Sequence, residues 1–186
     1  MKASPIDLIR AHYGTLVDAR TDKQRPMDHM LFEGLPLVAL VASLVIGVQI
    51  PTAVSAGLLT VAGLLSAFLF QTLLQVSQRS MEWADEEPDP GPDTSRRARF
   101  MAEVAANAGY ASLVCLATAA VFVVASVVDE TALLICSAIG IGLAVHLTLV
   151  LLMTLARVFE STIERLDDAR TGHKARVARF PRRKAG

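Results

Sequence analysis

Among the polar side chains that fall within long uncharged, mainly apolar stretches of sequence, four have the most chemistry to offer. His146 lies in a run from Thr131 to Ala156 that has no Asp, Glu, Lys or Arg. Asn107 and Tyr110 lie near the start of a similar run, Ala105 to Val128, and Gln71 near the end of a third, Leu35 to Val76. An ionisable group inside a membrane is a candidate functional site by default, and imidazole changes charge close to neutral pH. Ser66 falls at about the depth of His146, which is about 22 Å from the outer end at helical rise. Two uses follow. His146 bonds Ser66 or a backbone carbonyl across a helix interface, or it joins Gln71 and Asn107 along an ion path. The path reading lacks a relay, because no charged residue within the runs could take the next proton. Gln71, Asn107 and Tyr110 share a level near the inner end, where polar residues cost little and can bond one another.

Other chemistry is not encoded. No segment has the spacing of a nucleotide loop, a zinc cluster or a nucleophile elbow. Gly140-Ile141-Gly142 has neither the strand nor the third glycine of a dinucleotide site. With no carboxylate pair or activated nucleophile at an accessible place, we expect no catalytic residue, no cofactor and no metal. Cys115 and Cys136 differ in depth by about 12 Å, beyond the roughly 7 Å that a disulfide spans between Cα atoms.

The elements that carry these residues follow from charge. One crossing of a bilayer takes about 20 apolar residues, so Leu35 to Val76 supplies two crossings, and the runs on either side of Asp129-Glu130 supply two more. The spacing predicts spans over 35–50, 52–76, 105–128 and 131–156, with Pro51 and Asp129-Glu130 at the outer turns. Of 18 Lys and Arg, five precede the first block, four lie in 77–103 and nine follow Ala156. Short basic loops stay inside, so both termini are expected in the cytoplasm. The expected fold is an all-α membrane protein of four transmembrane helices in two antiparallel hairpins, one unit over 1–186. Residues 77–103 form a cytoplasmic loop with helical extensions, in which Glu86 to Asp93, rich in proline and acids, is non-helical and Thr94 or Ser95 caps the next helix. Trp83 is expected to pack on cytoplasmic helix. Residues 157–186 form a cytoplasmic helix and basic tail.

Ser4, Pro5 and Asp7 read as the cap and first turn of an amphipathic helix from about 5 to 20, with Ile6, Ile9, Tyr13, Leu16 and Val17 on its apolar face. This polar start is unlike a signal peptide, so the first span is expected to be retained.

Small residues at Gly57, Gly63, Gly109, Gly140 and Ala144 form seams for close helix approach. They exceed what one hairpin needs, which points to a second copy of the chain. Lys174, Arg176, Arg179, Arg182, Arg183 and Lys184 at the C-terminus suit anionic lipid headgroups, at about 1 kcal/mol each, and nucleic acid only nonspecifically. Mean hydropathy of +0.45 and 53% hydrophobic content fit a polytopic protein. The Ala, Arg and Val bias fits a bacterium with GC-rich DNA, hence its cytoplasmic (inner) membrane. The expected function is a non-enzymatic, oligomeric membrane scaffold or anchor that engages a cytosolic protein. The alternative is an oligomeric ion channel or membrane-disrupting effector, as in bacterial stress or anti-phage responses.

Overall fold

The computed structural model describes residues 4–15, 30–86 and 92–178, and every regular element in them is helical. The helices are α1 (Pro5–Gly14), a π turn (Met30–Gly34), α2 (Leu35–Ile46), α3 (Thr52–Glu86), α4 (Pro92–Ala125) and α5 (Glu130–Ala178). The chain divides into two compact units, Met1–Leu151 and Leu152–Gly186. The second is helical through Ala178, with Leu155, Phe159 and Ile163 exposed.

Three helices are long and apolar enough to cross a membrane, over Thr52–Glu82, Ala98–Ala125 and Glu130–Phe159. The expected first span ends earlier than its sequence implied. Gly47 takes a left-handed φ of 75° and donates its N–H to the Leu44 and Ser43 carbonyls, ending α2 four residues before Pro51. With the π turn, the apolar helix covers Met30–Ile46, about 25 Å at 1.5 Å per residue against a hydrocarbon core of about 30 Å. The start of α4 also differs from expectation. Pro92 and Asp93 belong to its first turn, where a proline needs no N–H partner and an acid suits the dipole, so the helix begins ahead of Thr94 and Ser95. Pro88 and Pro90, the Trp83 side chain and residues 16–20 fall outside what is described.

In the first unit α3 packs along α4, and α1 packs on α4. Glycines set the closest approaches. A Cβ added to Gly140 would lie 2.8 Å from Phe122 Cζ, and one on Gly142 would lie 3.2 Å from both Leu40 Cβ and the Pro36 carbonyl oxygen. Gly109 receives Leu8 of α1 at 3.0 Å by the same measure. Gly57 and Gly63 instead look onto open space, and Ala144 is exposed. At the other end Ser137 Oγ accepts the Ile50 N–H at 3.0 Å, and Gln49 Nε2 donates to the Glu130 carbonyl at 3.4 Å. Asp129 Oδ1 caps α5 by accepting the Ala132 N–H at 2.9 Å. Cys115 and Cys136 are free.

The glycines therefore differ in what a larger side chain would meet. Gly140→Leu should lower the stability of the detergent-solubilised monomer by about 1–3 kcal/mol through overpacking on Phe122. Gly63→Leu should leave the monomer's thermal midpoint unchanged. Thermal unfolding of the two variants side by side checks both.

Candidate functional site

A cluster of polar side chains joins α1, the π turn, α4 and α5. Its placement begins with Pro36. In an α-helix the Phe32 carbonyl would bond the N–H four residues on, but Pro36 has none and its ring crowds that carbonyl. The segment widens into the π turn, and the Phe32 oxygen is taken by His146 Nδ1 at 3.0 Å. A carbonyl only accepts, so Nδ1 carries the proton. In the neutral ring Nε2 then accepts from the Tyr110 hydroxyl at 2.7 Å. Tyr110 thus bridges α5 to whatever lies on its other side, and that is α1. The His12 ring stacks on the Tyr110 ring at 4.0 Å between centroids and 9° between planes. His12 is 1% exposed, as is Asn107, and His12 Nδ1 lies 2.8 Å from Asn107 Oδ1. Thr15, also buried, places its hydroxyl 3.0 Å from the same amide atom and 2.7 Å from the His12 carbonyl oxygen. Asn107 Nδ2 is left buried without a partner.

Tyr13 closes the cluster at its edge, in edge-to-face contact with both His12 and Tyr110. Burial, and then the nearby Glu33 carboxylate, raise its phenol above the ordinary tyrosine value. The fold therefore holds this phenol in its neutral form.

Of the residues singled out from sequence, Asn107, Tyr110 and His146 come together here. Ser66 is half-buried on α3 and is not the partner of His146, which turns to Phe32 and Tyr110. Gln71 is exposed on α3 and stands apart. Lys174 and Arg176 lie in α5, and Arg179, Arg182, Arg183 and Lys184 lie outside the described residues. Sequence reasoning missed His12, Tyr13 as a polar member, Thr15, Glu33 and the Phe32 carbonyl. The face of α1 that packs is Leu8, His12 and Thr15, whereas Ile6 and Ile9 of the expected apolar face are exposed. The usable signal was Asn107 itself, since a buried amide must find partners and the apolar helices supply few.

Among the described residues no three His, Cys, Asp or Glu side chains gather to hold a metal ion. A separate apolar cavity of about 420 Å³ is bounded by Leu58 of α3, Phe122 of α4 and a strip of α5 from Gly140 to Leu149. No family model matches the chain, and no curated protein or solved structure matches it significantly.

What the cluster can do is hold α1 and the π turn against the spanning helices. Asn107→Leu removes the group between His12 and Thr15 and should cost about 1–3 kcal/mol, because both are left buried without it. His146→Gln retains a donor for Phe32 and an acceptor for Tyr110 and should cost less. Amide hydrogen exchange over residues 5–15 reads the loss as faster exchange in Asn107→Leu. The raised Tyr13 phenol gives a second expectation. Its stabilising effect is complete below the ordinary tyrosine pKa of about 10 and is lost as pH rises through the higher folded value. Absorbance titration at alkaline pH should show phenol ionisation later than in the unfolded chain, and Tyr13→Phe should remove one phenol's share of that late change.

Proposed function

We propose that this protein is a non-enzymatic, polytopic membrane scaffold in a bacterial inner membrane. Its helices anchor and position cytoplasmic helical segments for a cytosolic partner. The carrying observation is how the polar groups within the spans are used. Asn107 and His146, two of the three groups that would line a conducting path, are engaged with α1, Tyr110 and the π turn. A polar group already satisfied inside the chain is poorly placed to replace the hydration of a passing ion.

In this reading α2 with its π turn is a short fourth span, thinning the bilayer locally. The chain pairs α2 with α3 and α4 with α5 as hairpins, and both termini are cytoplasmic. The amphipathic α1 lies at the inner surface with Ile6 and Ile9 toward lipid and the opposite face on α4. The exposed side of α3, with Val61, Leu64 and Phe68 beside Gly57 and Gly63, supports lipid contact and assembly with further copies of the chain. The basic residues from Lys174 to Lys184 attach to anionic headgroups. One feature favours the alternative of an oligomeric channel or membrane-disrupting effector. Gln71 is exposed on α3 near the inner end of its apolar stretch, where copies of it could meet around an axis.

Ion flux in liposomes separates the two. For the scaffold, purified protein gives no steady protein-dependent current at neutral pH, and Gly63→Leu changes the assembled mass. Current that falls in Gln71→Leu would replace the scaffold with the channel. Topology has its own check. A reporter active only outside the cell should be silent near Gly91 and after Gly186 and active beside Asp129; activity near Gly91 would rule out this arrangement.

A further inference from the structure

The geometry around Asn107 determines where protons sit, and with them the charge on His12. Thr15 Oγ1 has one proton and, among the described residues, two oxygens within reach, the His12 carbonyl at 2.7 Å and the Asn107 amide atom at 3.0 Å. Two oxygens at 2.7 Å need a proton between them, and a carbonyl has none, so the Thr15 proton points to His12. The contact with Asn107 then needs a proton from Asn107. Exchanging the two amide atoms, which leaves all heavy-atom positions in place, supplies it. The NH2 group now faces both Thr15 Oγ1 and His12 Nδ1, and each of its hydrogens has an acceptor. The exchange also removes the buried orphan donor. In its place stands a carbonyl oxygen, which tolerates lacking a partner better than an N–H does.

This arrangement has one requirement. His12 Nδ1 must accept, so the ring is neutral with its proton on Nε2. Adding a proton to Nδ1 sets N–H against N–H at 2.8 Å. Turning the amide back relieves that clash but restores an unpaired N–H at a site that is 1% exposed, now beside a buried charge.

We propose that His12 is a proton-operated latch: its neutral imidazole accepts the Asn107 amide and holds α1 on α4, and protonation releases α1. Among the described residues, the titratable groups around it are Tyr13 on α1, Tyr110 on α4, His146 on α5 and Glu33 of the π turn. Glu103, one turn from Asn107 on α4, is engaged with Arg99 at 3.3 Å. Glu33 and the face of Tyr110 favour a cation. Glu33 is exposed and so screened by solvent, whereas the clash and the burial act on His12 directly. The docked state binds fewer protons than the released one. Docking is therefore fully present above the imidazole range and weakens as pH falls through it. The latch operates equally in a scaffold or a pore.

Two measurements on the full-length protein in lipid nanodiscs test it. Nitrogen-15 histidine spectra at pH 8 should show His12 protonated at Nε2 and bare at Nδ1, assigned through its coupling to the Asn107 side chain. Spin labels at Ala11→Cys and Leu116→Cys, with both native cysteines replaced by Ala, report docking as a distance between α1 and α4. The ratio of docked to released α1 should fall by up to tenfold per pH unit between pH 7 and 5. His12→Phe should abolish that fall, and His146→Gln should keep it. A proton on Nδ1 at pH 8, a docked population constant from pH 8 to 5, or an undiminished fall in His12→Phe overturns the latch.

Discussion

A carboxamide buried in an apolar helix cannot turn to water, and Asn107 makes the rest of the arrangement follow from that constraint. It needs hydrogen-bond partners, none of its helical neighbours provides them, and α1 does. Once His12 and Thr15 are committed to it, His12 lies flat on Tyr110, and Tyr110 directs its hydroxyl to His146. The His146 ring is then oriented to donate to Phe32. Each contact fixes the direction of the next. Four segments far apart in the chain meet through side chains that a purely apolar interface would leave free to slide.

The long helices were legible because charge and hydropathy act over 20 or more residues. The uncharged stretches from Thr52, from Ala105 and from Thr131 appear as α3, α4 and α5. Local stereochemistry was harder to see. Gly47 looks like any other small residue in an apolar run, yet its left-handed backbone ends α2 before Pro51 has any effect. Pro36 reads as an ordinary first-turn proline, and its consequence lies four residues upstream. The site was half legible. Asn107, Tyr110 and His146 stand out against apolar neighbours, whereas His12 and Thr15 sit in a polar segment where nothing distinguishes them. Ranking α1 by its isoleucines did not pick out the face that packs on α4, since its burial follows hydrogen bonding as much as hydrophobicity.

The outward surfaces obey the same constraint by a different route. Thr60, Thr72 and Thr148 are on the surface, and each returns its hydroxyl to the carbonyl four residues back, at 2.8 to 3.0 Å. Such hydroxyls are satisfied without water, so they can face lipid without penalty. Gly57 and Gly63 expose backbone on a helix that otherwise shows Val61, Leu64 and Phe68. In lipid, apolar area gives no net attraction between helices. The contrast therefore lies in shape: flat where the glycines sit, ridged on either side.

The π turn carries a consequence for what lengths of chain this fold accepts. It holds one residue more per turn than the α-helix it leads into. Deleting Glu33 or Gly34 would bring back α geometry and swing the Phe32 carbonyl by about 100° around the axis relative to α2. It would then turn away from His146 and toward the Leu37 N–H, which would stand four residues on in place of Pro36. Changes of length within the turn are quantised, and a homologue that keeps Pro36 and His146 should keep the same number of residues between the Phe32 position and Pro36.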